Sequence, residues 1–401
     1  MSGLNPIPDP GVCASGRRAS RASDVDRAPR RLERRDGAHM SNADASRGDA
    51  DADTYVRPLV CVFGSINIDR VFRCASALPR AGETVGDATY EKSPGGKGAN
   101  QACAAARCGA RVAFVGCVGA EDDFSLAALR EAGVDTELVR KVENGATGTA
   151  CVLVDASGEN CIAVAPGVNT QVNADDVPRC DVLSLQCEVP ARANKRAIER
   201  ARALNPNVRV MLNYAPASSI DWGLILSAST VCVNETELAV LREEYDRRGG
   251  KVYLKNVGVK DSDCFLDTLV VTRGKKPAQE TRVPADEATS GSSRLEWLLK
   301  PQFRDHNEFF EKRVNIRTKA RDGFVDRETG IVDTVGAGDA FVGAYCASWA
   351  RGDFPEMRLK MATAAGTLAC LEPGARPKSV VNARKRARDV TCEMDVGSPA
   401  N

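Results

Sequence analysis

Histidine is nearly missing from this 401-residue sequence; His39 and His306 are the two that occur, and neither sits in a recognisable motif. A His-rich zinc site or a Ser-His-Asp triad has almost no material here. Aromatic residues make up 5% of the chain, which argues against a platform for stacking bases. An excess of one charge is also lacking, since 55 basic residues face 54 acidic ones for a formal net charge of +1. That balance argues against a nucleic-acid partner or an anionic membrane surface. No run of about 18 apolar residues occurs, so the sequence offers no membrane span. Cysteine is plentiful at 15, but the number is odd and no C-x-x-C pair occurs. Cys61, Cys117, Cys151 and Cys232 lie in apolar runs, where free thiols pack as small hydrophobes. This usage fits a reducing, cytoplasmic setting rather than a disulfide-stapled secreted fold.

What is present is an ordinary globular composition, 43% hydrophobic. Residues 1–56 are rich in Arg, Asp, Ala, Ser and Pro and poor in large apolar side chains. Such a segment buries too little surface to offset its ordering entropy, and it reads as a disordered arm. Its Arg27–Arg35 stretch mimics a transit peptide, but acidic residues are as common as basic ones across the arm. Organelle targeting or nuclear access through the arm stays open as the minor reading. The ordered body is expected over 57–388, with a polar tail over 389–401.

Within the body, short apolar runs at Leu59–Phe63, Val112–Val118, Val182–Leu185, Val208–Leu212, Val231–Val233 and Leu269–Val271 read as buried strands. Helical segments at Ala99–Arg107, Phe124–Ala132 and Ala191–Ala203 alternate with them. That rhythm predicts βαβ units: an α/β fold with a parallel sheet covered on both faces. Two regions, about 66–94 and 145–168, alternate strand-like residues with turns and suggest a small β flap. Residues 275–325 are polar and charged and read as a solvated insertion loop.

Ligands of open parallel sheets bind beyond the carboxyl ends of the strands. After the first run come Asn67 and Asp69, two apart and on one side of an extended segment. They either hydrogen-bond vicinal hydroxyls or mark a strand-end turn. Gly95-Gly96-Lys97-Gly98-Ala99-Asn100 then enters a helix, and its glycines let backbone approach a ligand. It is not a Walker A loop, because Gly98 stands where Ser or Thr should follow the Lys. The strongest signal is Asp333-Thr334-Val335-Gly336-Ala337-Gly338-Asp339, followed by a helix-like run from Ala340 to Trp349. Gly336, Ala337 and Gly338 form a turn at a helix start, which makes an anion hole. Asp339 beside it makes sense as a general base for a hydroxyl attacking a phosphoryl group, with plain helix capping as the alternative. Asn234-Glu235-Thr236-Glu237 places carboxylates at a strand end, serving either Mg²⁺ or simply a helix start. Thr272-Arg273-Gly274 leads a strand into a turn where a nucleotide could lie.

Taken together, Leu59 to about Pro377 resembles the ribokinase-like sugar kinases of the phosphofructokinase-B family. Gly95–Asn100 is similar to the family's first signature and Asp333–Tyr345 to its second. Gly158-Glu159-Asn160, Pro166-Gly167-Val168-Asn169, Gln186-Cys187-Glu188 and Asn213-Tyr214-Ala215-Pro216-Ala217 add to the match. The resemblance implies a Rossmann-like layered sheet with a β lid over the sugar, and ATP-dependent phosphorylation of D-ribose at its primary 5-hydroxyl. Another small sugar or a nucleoside, such as deoxyribose, a ketohexose or adenosine, is the alternative acceptor. The resemblance assigns Asn67, Asp69, Gly96, Lys97, Gly98, Ala99, Asn100 and Glu188 to the sugar and Asp339 to deprotonation of its hydroxyl. It assigns Asn234, Thr272, Arg273, Gly274, Gly338 and Thr363 to the nucleotide, and Glu237 to Mg²⁺ through water. A monovalent cation, K⁺, would be held by Asp333, Val335, Ala369, Glu372 and Gly374. A Ser expected later in that cation loop falls at Lys378 or Ser379, Pro277 replaces a second glycine of the nucleotide loop, and Thr363 stands where relatives carry Asn or His. The partners implied are a small-molecule sugar and ATP, with a homodimer through the lid as a further option.

Overall fold

In the computed structural model, the structure describes residues 58–157, 159–257, 260–274, 276–283, 294–295, 298–299, 314–320 and 331–396. The arm read over 1–56 lies outside the described residues, as do most of the 275–325 segment and 397–401. In chain order the strands are β1 Leu59–Phe63, β2 Asn67–Arg73, β3 Thr89–Gly95, β4 Arg111–Gly119, β5 Val139–Val142, β6 Gly148–Val154, β7 Asn160–Ala165, β8 Val182–Gln186, β9 Arg209–Asn213, β10 Thr230–Asn234, β11 Thr268–Thr272, β12 Ala278–Arg282, β13 Val314–Ala320 and β14 Val390–Val396. The helices that matter here are α1 Lys97–Arg107, α2 Asp123–Glu131, α3 Ala191–Leu204, α4 Trp222–Ser227, α5 Glu235–Arg247, α6 Leu254–Val257, α7 Ala337–Ala350 and α8 Pro355–Ala369.

A 10-stranded sheet runs in the order β14-β13-β12-β11-β10-β9-β8-β1-β4-β5. The pairs from β11 through β5 are parallel, and those from β11 to β14 are antiparallel. The central strands are mostly apolar because both their faces are covered, with Ser184 and Gln186 of β8 as buried polar exceptions. One face packs Val60, Val62, Phe114 and Val182 against α1, α7 and α8, and the other packs Phe63, Leu183, Leu185 and Leu212 against α3, α4 and α5. α7 is apolar nearly all round and buried from Asp339 to Trp349, as a helix inside the core must be. It meets α1 almost backbone to backbone: a Cβ on Gly343 would lie 2.4 Å from the Gln101 carbonyl oxygen. That close approach brings the polar start of α1 against the first turn of α7.

The two flap regions form a separate four-stranded sheet in the order β3-β2-β6-β7, with β2 and β6 parallel and the outer pairs antiparallel. β7 is exposed along its whole length.

Two readings of the chain's ends need correction. The segment 275–325 is not wholly a solvated loop, because β12 and β13 extend the main sheet. β12 escaped notice because its buried residues Gln279, Glu280 and Thr281 are polar. Glu280, with no exposed surface, accepts from Tyr345 Oη (2.9 Å) and Arg282 Nε (2.6 Å), which is what makes a buried carboxylate tolerable. The supposed tail likewise begins as β14, paired with β13 from Ala320↔Val390 to Val314↔Val396. At this sheet edge only Val390, Cys392, Met394 and Val396 are apolar, and alternation that thin reads as polar chain.

Candidate active site

The carboxyl ends of β9, β10 and β11 and the starts of α1 and α7 meet at a cavity of about 230 Å³. Lys97, Asn213, Asn234, Glu237, Thr272, Thr334, Gly336, Gly338 and Asp339 are among its lining residues. A larger cavity of about 510 Å³ lies at the opposite strand ends, between Arg209, Thr268 and Trp349, and of the signature residues only Tyr345 lines it.

α7 begins one residue after Gly336, which serves as its N-cap in the left-handed conformation at φ 75°. A Cβ there would lie 2.5 Å from the Ala375 carbonyl oxygen, so both conformation and space demand glycine. The helix therefore starts at Ala337 rather than Ala340, and Ala337, Gly338 and Asp339 form its first turn. N–H groups of a first turn lack helical partners and carry the positive end of the dipole. A Cβ on Gly338 would meet nothing within 4 Å, so open space lies beside this backbone.

Asp339 does not cap its own helix. Its buried carboxylate accepts from Asn100 Nδ2 at Oδ2 (3.0 Å) and from Gln101 Nε2 at Oδ1 (3.1 Å). Gln101 in turn donates to Asn213 Oδ1 (3.0 Å) and accepts from Ser184 Oγ (3.1 Å) and Gln186 Nε2 (2.8 Å). A chain of amides thus anchors one carboxylate at the cavity wall.

Gly96 caps α1 with φ 89°, and the loop behind it is tied to the first strand turn. Glu188 accepts from Ser65 Oγ (2.5 Å) and from the Lys97 N–H (2.9 Å), and Gly98 N–H donates to Ser65 Oγ (3.2 Å). Glu188 therefore holds the loop. The Lys97 ammonium is raised above its ordinary range, first by Asp339, with Glu188 and Glu237 adding to it. Ala99 is buried and donates its N–H to Ser65 O (3.0 Å). Asn67 and Asp69 part company. Asn67 is buried, its Oδ1 taken by Asn169 Nδ2 (2.8 Å), and it braces the lid hinge. The Asp69 carboxylate lies against Gly95. It is pushed up to about 6, chiefly by burial and then by Glu188, with Arg376 pulling the other way.

Of the residues expected to face the nucleotide and its metal, Asn234 and Glu237 form a reciprocal capping box at the start of α5, so the helix-start reading of these residues is correct. Glu237 also lines the cavity, and burial raises its carboxyl. Thr272 lines the cavity too, whereas Arg273 turns to Glu235 (3.3 Å), alongside Lys276 (3.0 Å). Gly274 follows with φ 56°. Thr363 is not among the lining residues; its hydroxyl shares a 2.7 Å bond with Thr318 of β13.

The cation segment closes on itself. Asp333 accepts from Val335 N–H (2.9 Å) and Gly374 N–H (3.0 Å), and Glu372 accepts from the N–H groups of Lys378 (2.7 Å) and Ser379 (3.1 Å). Ala369, buried, ends α8 beside them. The Lys378 ammonium points elsewhere, to Glu131 (3.1 Å), while Ser379 Oγ donates to Leu368 O (3.1 Å). No cluster of three or more potential metal-binding His, Cys, Asp or Glu occurs among the described residues.

Sequence reasoning gave no role to Ser65, Gln101, Asn169, Asn213 or Arg376. Gln101, Asn169 and Asn213 stand inside or beside quoted motifs, but the bonds that bring Ser65, Gln101 and Arg376 into the site span 33 to 281 positions, and spacing alone carries no trace of that.

The fold and this site define a class, and comparison with known proteins agrees. A model of the pfkB family carbohydrate kinases matches residues 57–281 and 316–381, and the chain belongs to that family. Ribokinase of Schizosaccharomyces pombe is 30% identical over 336 residues, covering 79% of this chain and 93% of that protein. Deoxyribokinase of Salmonella typhi is 28% identical, covering 76% of this chain and 89% of its own. The crystal structure of Thermotoga maritima ribokinase superposes with a TM-score of 0.59 at 26% identity, over 82% of this chain and 98% of that one.

Proposed function

We propose that the protein transfers the γ-phosphoryl group of ATP to the primary 5-hydroxyl of D-ribose, giving ribose 5-phosphate and ADP. The observation that carries this reading is the Asp339 carboxylate, held by two amide donors at the first turn of α7 on the wall of the cavity. A base needs such fixed geometry next to the hydroxyl it deprotonates. The sugar lies between Asp69, the Gly96–Asn100 loop and Asp339. Asp69 binds vicinal hydroxyls as the carboxylate, Asn100 adds an amide contact, and Glu188 holds the loop that carries Lys97. As Asp339 takes the hydroxyl proton, the oxygen attacks the phosphoryl group, whose charge is met by the backbone of Gly336–Gly338 and the Lys97 ammonium.

The nucleotide lies along Asn234, Thr272 and Gly274, with Gly338 at its phosphates. Arg273 and Thr363 act from behind, through Glu235 and Thr318. Glu237 suits Mg²⁺, which keeps most of its waters and needs one or two carboxylates nearby. When bound, it neutralises charge on the phosphates. The backbone around Asp333, Val335, Ala369, Glu372 and Gly374 suits K⁺, since two carboxylates fold that loop and the Lys378 charge faces away. Held there, K⁺ would add positive charge near the first turn of α7. Closure of the four-stranded lid excludes water. Ile162, Val164 and Tyr90 expose apolar surface on that sheet, which supports a homodimer through the lid in a cytoplasmic protein.

Deoxyribose is the second reading, favoured by the similarity to Salmonella typhi deoxyribokinase. An ADP-release assay across ribose, deoxyribose, fructose and adenosine separates the two, and a wild-type rate on ribose no higher than on the others overturns the first. The Asp339→Asn variant is expected to keep sugar binding and lose about 10³-fold in kcat, roughly 4 kcal/mol of barrier. Near-normal turnover by that variant removes Asp339 from the mechanism.

A further inference from the structure

A buried arginine beside the cradle has so far no task. Arg376 lies in the turn after Gly374, and its guanidinium is among the most enclosed charges of the site. Nε donates to Asn100 Oδ1 (2.9 Å), and Nη2 donates to the Gly95 carbonyl (2.7 Å). Arg107 Nη1 clamps the same turn from below, donating to the Arg376 carbonyl (2.6 Å) and the Pro377 carbonyl (3.1 Å). Burying a guanidinium is costly unless its geometry is put to use.

The two acceptors tell what that use is. The Asn100 carboxamide has two faces. Arg376 occupies the oxygen, so the amino group must turn toward Asp339, where it donates at 3.0 Å. A flipped amide would set its oxygen against the Asp339 carboxylate. Gly95 is the residue against which the Asp69 carboxylate lies, so the same guanidinium sits beside both acids that face the sugar.

We propose that Arg376 is a positioning residue of the sugar site, fixing the Asn100 amide toward Asp339 and setting its charge beside the Asp69 carboxylate at Gly95. The proposal rests on the kinase reading above. Its pH consequence involves every charged group facing Asp69: Glu188 and Asp339 raise its carboxyl, and Arg376 alone lowers it. Arg376 itself is lowered from its ordinary range, first by burial, and Cys103, Arg107, Asp69 and Asp339 are the groups around it.

Two variants test this on whichever sugar the wild type phosphorylates. Arg376→Gln removes the charge. Its kcat/KM for sugar is expected to fall about 10-fold or more with the nucleotide KM within twofold, and the acid limb of kcat/KM is expected to move up by about half a pH unit or more. Arg376→Lys keeps the charge but has no planar fork, so it is expected to lose sugar affinity while its acid limb stays with the wild type. Equal losses toward sugar and nucleotide with an unmoved acid limb would mean a purely structural arginine and overturn the proposal. So would an Arg376→Lys enzyme with the wild-type sugar KM, which decides the matter even where the Gln variant does not fold. A wild type that phosphorylates no sugar refutes the functional reading instead, which keeps the two failures apart.

Discussion

Gln101 offers the sharpest test of how the base is held. Replacing it with Met keeps the volume and chain length nearly constant while deleting four hydrogen bonds at once, to Asp339, Asn213, Ser184 and Gln186. The cost depends on which partners find a substitute. Asp339 and Asn213 line the cavity and can take water in place of the amide. Ser184 is already close to the Cys346 thiol and can turn to it. Gln186 is fully buried, and its amino group is left bare. One orphaned donor at about 1–3 kcal/mol plus three weakened bonds gives roughly 2–4 kcal/mol of lost stability. For a body of this size that is about 3–6 °C in melting temperature. Thermal melts followed by circular dichroism measure it directly. Kinetics supply the second readout. With one of its two holders gone, Asp339 is expected to lose about 10–100-fold in kcat with little change in nucleotide KM. A variant that melts with the wild type and turns over at the wild-type rate would show that the amide chain neither supports the core nor fixes the base. A lower melting temperature with an unchanged kcat would show that the orientation of Asp339 does not depend on it.

Three further outcomes are expected. The Asp69 carboxyl is raised from its ordinary value to about 6, so kcat/KM for sugar should fall as pH drops through about 6. Asp69→Asn should flatten that limb at a low rate; a wild-type profile level down to pH 5 would remove Asp69 from sugar binding. Because the raised carboxyl opposes folding when ionised, the same variant should melt higher than the wild type at pH 7.5. Gly336→Ala forces a Cβ into the left-handed position, 2.5 Å from the Ala375 oxygen, and is expected to lower kcat by about 10-fold or more by displacing the first turn of α7. Initial rates should be higher in potassium than in sodium buffer at equal ionic strength, and equal rates would dismiss K⁺ from the Asp333–Gly374 loop.

The central strands were legible because burial on both faces leaves them mostly apolar, and the expected strand cores lie within β1, β4, β8, β10 and β11, with Val208–Leu212 one residue early for β9. α1, α2 and α3 began within two residues of expectation. The lid was legible too, since its alternation and lack of helix pattern survive in β2, β3, β6 and β7. Illegible elements share one physical cause: their polar residues are satisfied by partners far away in sequence. β12 buries Glu280 because Arg282 and Tyr345 meet it, and a hydropathy pattern cannot anticipate Tyr345. The same holds at the site. Gly336 and Asp339 announce themselves by local chemistry, but Gln101 and Arg376 acquire meaning only when α1, α7 and the 374–377 turn converge.

That convergence also bears on the cations of the proposed reading. Asp69, Glu188, Glu237 and Asp339 bring four carboxylates to one cradle, against the two positive charges of Lys97 and Arg376. Like charges this close disfavour joint ionisation, and after burial they add to the upward push on the Asp69 carboxyl. A nucleotide triphosphate arriving without compensation would add several more negative charges to an already acidic pocket. The positive dipole end of α7 offsets only part of that, about half a charge. Glu237 lines the cavity and Asp333 folds the loop that reaches Gly374, which are the places where the proposed cations would add what the dipole lacks. On the proposed reading, the acids that would recognise the sugar and remove its proton call for the positive charge that Mg²⁺ at Glu237 and K⁺ at the Asp333 loop would bring.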